Sequence, residues 1–290
     1  MQQEDRIGGT GAPAAAAPPY VDALFGDFAN GRAGRFNHLG HWSDRDPDPV
    51  ASGRAQAQLR MVEVLADLAG ITDGDRILDV GSGFGGTLEA LDQRFGDVVL
   101  VGLDLDARQL ALCRTLAARP GNHLAWLQGD GCVLPVASGS IDRIVTIEAM
   151  WHFASRSAFL AEAARVLRPG GSLVAVDLLV RPGSAAAVGL PDDEAVANRL
   201  QGAFAPWPVP HLTVAELVQM GRDAGLACTE VVDATEATKP TYLDHGDAAD
   251  RPGASQFSSS PAVELFVELH RRDLLSVLYL RFEPESAARR

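Results

Sequence analysis

The residues best suited to chemistry lie in one short run, Ile77-Leu78-Asp79-Val80-Gly81-Ser82-Gly83-Phe84-Gly85-Gly86, where an apolar strand passes straight into a glycine-dense turn. Closely spaced glycines let a backbone approach a ligand with no Cβ in the way, and the helix start that follows presents free N–H groups. The run satisfies G-x-G-x-x-G through Gly81, Gly83 and Gly86, a pattern that dinucleotide sites share and that is weak by itself. Two carboxylates sharpen it. Asp79 stands two residues before the first glycine, and Val98 to Leu103 reads as a second strand ending in Asp104, where an acid can bind both hydroxyls of a ribose. A nucleoside-bearing cofactor is the expected ligand.

The elements around this run alternate in the way a doubly wound parallel sheet requires. The patterning predicts strands near 76–81, 98–104, 123–128, 142–148 and 172–179, with helices near 86–94, 107–118 and 155–167. Asp106 is placed to cap the helix that begins at Ala107. Upstream, Val21, Leu24, Phe25 and Phe28 have helical spacing over 20–29, Phe36 to Trp42 is an aromatic, turn-prone segment, and Leu59, Val62, Leu65 and Leu68 mark an amphipathic helix over 56–69. Beyond Val180, the prolines at 182, 191, 206, 208 and 210 exclude one long helix, so 181–212 reads as an insertion carrying a short helix near 192–203. Thr213 and Glu216 form a capping-box pattern for a helix ending near Gly225, followed by a strand over 227–235, a loop over 244–260, a helix over 261–272 and a last strand over 274–282. Residues 1–19, rich in alanine and proline, are expected to be a disordered tail.

Composition narrows the function classes. The chain has 290 residues, enough for one large α/β domain with additions. Its 25 basic and 38 acidic residues give a net charge of −13, which argues against a nucleic acid substrate and favours a small acceptor. Cys113, Cys132 and Cys228 are widely spaced, with no C-x-x-C pair, so neither a disulfide framework nor a zinc site is indicated and a cytoplasmic location is expected. No uninterrupted apolar run of about 18 residues suggests a membrane span. No metal is expected, and self-association into a homo-oligomer stays open.

Taken together, these motifs resemble the class I S-adenosylmethionine-dependent methyltransferases. Ile77 to Gly85 is similar to their first motif. Gln128-Gly129-Asp130-Gly131, followed by Leu134-Pro135 and Gly139-Ser140-Ile141-Asp142, resembles their adenine-binding loop and the entry to strand four, and Leu167 to Leu173 resembles the turn into strand five. The four motifs span roughly 55–180, and a nicotinamide enzyme has no reason to carry the last three. The resemblance implies a Rossmann-like, seven-stranded, mostly parallel sheet with helices on both faces, an antiparallel seventh strand, an N-terminal helical lid with the first helix over 20–70, and a core over 71–290. Acceptor-pocket insertions are then expected at about 181–212 and 244–270, with Trp207 and the helix around Phe257 to Leu269 as pocket wall. Glu236 to Thr241 adds a weaker likeness to sugar-methylating members.

The same resemblance assigns roles. S-adenosylmethionine, leaving as S-adenosylhomocysteine, would lie on Asp79, Gly81, Ser82, Gly83 and Gly85, with Asp104 on its ribose and Leu105, Gly129, Asp130 and Gly131 around its adenine. Cys132 is either a wall of that ring site or a plain buried thiol. Gln58 and Trp42 are further cofactor candidates. Ile147 to Phe153 is similar to the segment that carries paired histidines in small-molecule, rebeccamycin-sugar-type O-methyltransferases of natural-product biosynthesis; Trp151 replaces the first of the pair, leaving His152 as candidate base with Asp177 behind it. Glu148 stays open between a base for methylation at a prenyl, aromatic or indole carbon and a tie for the cofactor or a loop. Tyr20, Trp151 and Trp207 are candidate acceptor contacts. His38 and His41 are either site residues or packing. An inactive cofactor-binding scaffold is the alternative outside catalysis.

Overall fold

A computed structural model describes residues 20–31, 33–43, 53–242 and 261–285. The expected tail over 1–19 and loop over 244–260, with Phe257, lie outside the described residues. Helix α1 (Tyr20–Ala29) is followed by the Phe36–Trp42 segment and by α2 (Arg54–Ala69). The buried face of α2 runs through Ala57, Met61, Val62, Leu65, Ala66 and Ala69, the three-and-four spacing of an amphipathic helix, and Gly70 ends it in the left-handed conformation.

Seven strands then form one sheet in the order β3-β2-β1-β4-β5-β7-β6. They are β1 (Arg76–Val80), β2 (Val99–Asp104), β3 (His123–Gln128), β4 (Ile141–Ile147), β5 (Leu167–Val180), β6 (Leu226–Asp233) and β7 (Leu275–Pro284). Strands β1 to β5 pair in parallel, and β7 lies antiparallel between β5 and β6. The helices are α3 (Gly86–Arg94), α4 (Ala107–Cys113), α5 (Arg156–Val166), α6 (Asp193–Phe204), α7 (Val214–Asp223), the short α8 (Thr235–Thr238) and α9 (Pro261–Arg271). Two apolar cores cover the two faces: Met61, Leu65, Leu88, Trp207 and Phe266 on one, Phe159, Leu160, Ala163 and Leu217 on the other.

Local chemistry explains the boundaries. Ser155 caps α5 by accepting from the Ala158 N–H, Asp106 caps α4 through the Arg108 N–H, and Thr213 and Glu216 complete a reciprocal capping box on α7. Helix α4 stops at Cys113 rather than near 118. The Thr115 and Leu116 N–H groups turn to the Leu112 and Cys113 carbonyls three residues back, ending the helical ladder, and Arg119, before Pro120, donates its N–H to the Asp92 carboxylate. The chain order reverses between β2-β1 and β4-β5, so the carboxyl ends of β1 and β4 open onto a crevice where such sheets bind ligands. No helix among the described residues is long and apolar enough to cross a membrane.

Candidate functional site

A cavity of about 600 Å³ sits at that crevice, within the size range of small-molecule sites. Gly81 and Gly83 enter from the end of β1, Asp104 and Leu105 from β2, Gly129 to Gly131 from β3, and Glu148 with His152 from the end of β4. Tyr20, Val21 and Leu24 of α1 close one side, and Pro206 and Pro208 of the post-β5 insertion close another.

The glycine turn is built as its sequence suggests, with Gly81, Gly83 and Gly85 at φ of 83°, 55° and 84°. A Cβ on Gly81 would come 2.3 Å from the Ala149 Cβ, so close packing as well as backbone conformation requires glycine there. Four of the turn's amides are already engaged within the protein, however. Gly81 and Ser82 donate to the Leu103 carbonyl at 2.8 and 3.0 Å, Gly83 donates to Asp104 Oδ2 at 2.9 Å, and Gly85 donates to the Ser82 carbonyl at 2.9 Å. At those four positions the loop supplies clearance rather than hydrogen bonds. Gly85 and Ser82 stand back from the cavity: Gly85 faces Trp126 and Cys113, and the buried Ser82 hydroxyl lies behind Gly102.

Carboxylates dominate the cofactor end. Asp104 is fixed by the Gly83 N–H on Oδ2 and by the Asp106 N–H and Gln109 Nε2 on Oδ1, which leaves Oδ2 the lone-pair capacity for a ribose hydroxyl. Burial pushes its pKa up to about 6 against the pull of those N–H donors. Asp79, 1% exposed, lies beneath the turn with Oδ2 unpartnered among the described residues, and burial, helped by the nearby Asp104 charge, raises it to about 8. Burial likewise lifts Glu148 to about 8, although its Oε1 accepts the Leu39 N–H at 2.8 Å. Arg108, the cation at the rim, is already paired with Asp106 and Asp22. Asp79 itself does not line the cavity, so the acidic wall is that of Asp104 and Glu148, and it suits a ligand that brings positive charge, as a sulfonium does.

The catalytic end differs from expectation. Asp177 does not reach His152: both its oxygens take the Arg156 guanidinium, at 2.7 and 3.2 Å, and Arg156 also donates to the Val209 carbonyl. This fully buried pair braces the insertion beside the site. What stands behind His152 is the Pro206 carbonyl, 2.8 Å from Nδ1. A carbonyl only accepts, so Nδ1 carries the hydrogen and Nε2 accepts from the Tyr20 hydroxyl at 2.9 Å. Burial lowers the His152 pKa to about 4, keeping the ring neutral. Trp151 stacks on His152 at 3.5 Å and packs with Trp207 at 4.4 Å. Neither tryptophan lines the cavity, where both were expected as acceptor contacts; they pack behind the His152 ring instead.

Other sequence expectations separate in the same way. Leu105, Gly129, Asp130, Gly131 and Tyr20 line the cavity, with Asp130 Oδ1 turned to the Cys132 N–H. Gln58 and Trp42 do not; Gln58 donates to the His38 carbonyl at 2.6 Å and Trp42 Nε1 to Thr241 Oγ1 at 2.9 Å, pinning the 36–42 segment to α2 and the region after β6. The Cys132 thiol turns to the Ser155 carbonyl. His38 and His41 engage the Leu39 carbonyl and the Tyr279 hydroxyl, outside the cavity. Among the described residues no group of three His, Cys, Asp or Glu side chains could hold a metal. Sequence reasoning missed Arg156, Pro206 and Asn37, which lines the cavity beside Gly83; none belongs to a local motif.

Comparison with known proteins identifies the family. The family described as "Methyltransferase domain" matches residues 78–175. The chain is 33% identical over 208 residues, 70% of each sequence, to a protein named Methyltransferase GfsG from Streptomyces halstedii. The chain belongs to the class I S-adenosylmethionine-dependent methyltransferases. It is also 29% identical over 220 residues to an erythromycin 3''-O-methyltransferase of Saccharopolyspora erythraea, covering 73% of this chain and 68% of the relative. Its fold matches the crystal structure of geranyl diphosphate C-methyltransferase from Streptomyces coelicolor A3(2), with a TM-score of 0.68 at 20% identity over 93% of this chain and 100% of that one. As a class I methyltransferase, the enzyme uses S-adenosylmethionine as methyl donor.

Proposed function

We propose that this methyltransferase acts on a hydroxyl of a small, uncharged natural-product acceptor, with His152 as base and Tyr20 as the hydroxyl that passes the proton to it. The observation that carries this reading is the neutral His152 ring inside the cavity, its Nδ1 locked as donor by Pro206 and its Nε2 already accepting from a hydroxyl. Around this pair the cavity lining is apolar, with Val21 and Leu24 of α1 and Pro206 and Pro208 of the segment after β5. With Arg108 committed to two carboxylates, a diphosphate-bearing acceptor finds no spare cation among the lining residues. The relative named as an O-methyltransferase supports an oxygen acceptor. Carbon methylation has less support, since Glu148 is tied to Leu39 and Trp151 turns its face to His152.

Bound at Asp104 and the glycine turn, the cofactor supplies an electrophilic methyl on a sulfonium. Tyr20 and His152 do the rest. Burial and the Glu148 and Asp104 charges hold the Tyr20 phenol above its usual pKa, so it stays protonated and serves as a donor. As the acceptor oxygen takes the methyl, its proton moves to the Tyr20 oxygen while the Tyr20 proton moves to Nε2, leaving neutral ether and imidazolium. The positive charge lost at sulfur reappears on the imidazole, so net charge in the acidic cavity does not change. Alignment of acceptor and methyl contributes roughly 7 to 11 kcal/mol and a positioned base about 10²- to 10⁴-fold in rate. The test is turnover of His152→Ala over a panel of hydroxylated natural products, with S-adenosylhomocysteine affinity measured alongside. The proposal expects lost turnover and retained affinity; near-normal turnover would reject His152 as base.

A further inference from the structure

The amino-acid end of the cofactor needs donors that no sequence motif marks. The cofactor's methionine part ends in an ammonium and a carboxylate. Asp79 stands behind the turn, outside the cavity lining, and the carboxylate needs N–H donors, whereas the amides of Gly81, Ser82, Gly83 and Gly85 are consumed within the protein. Asn37 lies against this turn. A Cβ on Gly83 would come 3.2 Å from Asn37 Nδ2, Asn37 lines the cavity, and its Oδ1 is buried with no hydrogen-bond partner among the described residues. A buried amide with an orphaned oxygen costs free energy unless something else uses it.

We propose that Asn37 is a ligand of the zwitterionic amino-acid end of the cofactor, its amide offering a donor to the carboxylate and an acceptor to the ammonium. The inference rests on the assignment of the cavity to S-adenosylmethionine. It also gives the Phe36–Trp42 segment a specific duty. Gln58, which donates to the Phe36 and His38 carbonyls at 3.3 and 2.6 Å, fixes the backbone on either side of Asn37 and so aims its side chain at Gly83. The segment thus reports on the amino acid of the cofactor, while Asp104 and the loop after β3 hold the nucleoside.

Two ligands separate these contributions. S-adenosylhomocysteine carries the amino-acid end, whereas 5′-methylthioadenosine keeps the adenosine and sulfur and lacks it. Isothermal titration of the full chain, and of Asn37→Ala and the near-isosteric Asn37→Asp, should show S-adenosylhomocysteine binding weakened roughly 10- to 100-fold, the range for hydrogen bonds to charged groups. Binding of 5′-methylthioadenosine should be unchanged in both. Equal weakening of the two ligands would overturn the proposal, showing that Asn37 only packs the segment, and so would unchanged affinity for both. A wild-type protein that binds neither ligand would instead overturn the cofactor assignment on which the inference rests.

Discussion

Replacing the Tyr20 hydroxyl with hydrogen probes the proton path directly. Tyr20→Phe keeps the ring and its contact with Phe204 at 6.1 Å but removes the only hydroxyl shown on His152 Nε2. If the proton reaches the imidazole through that oxygen, the variant loses what a positioned base supplies, about 10²- to 10⁴-fold in kcat, or roughly 2.7 to 5.5 kcal/mol of barrier. His152→Ala removes the terminus of the same path and should cost a similar factor. The two losses cannot both be charged to one step, so the double variant should be no slower than the slower single one. Independent contributions would multiply to about 10⁴ to 10⁸. The assay is steady-state formation of S-adenosylhomocysteine from an accepted hydroxyl substrate, with cofactor affinity measured for each variant to confirm an intact donor site. A Tyr20→Phe rate at or above wild type would refute the relay, because the acceptor hydroxyl would then be reaching Nε2 without help. Multiplicative losses would refute it as well.

Three further outcomes follow from the same geometry. Asp104→Ala should weaken S-adenosylhomocysteine binding severely while leaving the fold intact, and unchanged affinity by titration would remove Asp104 from the ribose site. Asp177→Ala strands Arg156 as a buried, unpaired charge and should destabilise the protein by about 3 to 5 kcal/mol in denaturant unfolding; a loss of turnover at full stability would return Asp177 to the chemistry. Cofactor binding should also depend on pH in a defined direction. Native Asp79 and Glu148 titrate near 8 and their ordinary values lie near 4, so across that window the native, cofactor-free protein holds protons the unfolded chain has lost. Its stability therefore falls as pH rises through the window. A cationic cofactor favours the ionised carboxylates, so binding should release protons and tighten toward pH 8, as calorimetry in buffers of different ionisation enthalpy would detect. Binding with no proton release between pH 6 and 8 would contradict the acidic-wall account.

The glycine turn and the Asp104 position were legible because local rules write them, whereas Asp79, Ser82, Gly85, Gln58 and Trp42 do not line the cavity. A strand that must end in a turn, a turn that must hold three residues at positive φ, and an acid at the end of the next strand are each visible within a few consecutive residues, and the alternation of elements fixes their relative placement. The catalytic half was not legible, because its partners are assembled from distant segments. Asp177 looked available to His152 because both lie near adjacent strand ends, yet a carboxylate buried beyond water takes the strongest donor within reach, and nothing local to Ser155-Arg156 announces that its guanidinium points back to β5. With Asp177 spent, orientation of the imidazole falls to the Pro206 carbonyl, supplied by the insertion, and a hydroxyl partner to Tyr20, supplied by α1. Both segments that hold His152 are therefore additions to the sheet, and both also line the cavity. Changes in those additions would alter acceptor choice and the setting of the base together, while the sheet could keep one cofactor site for many acceptors.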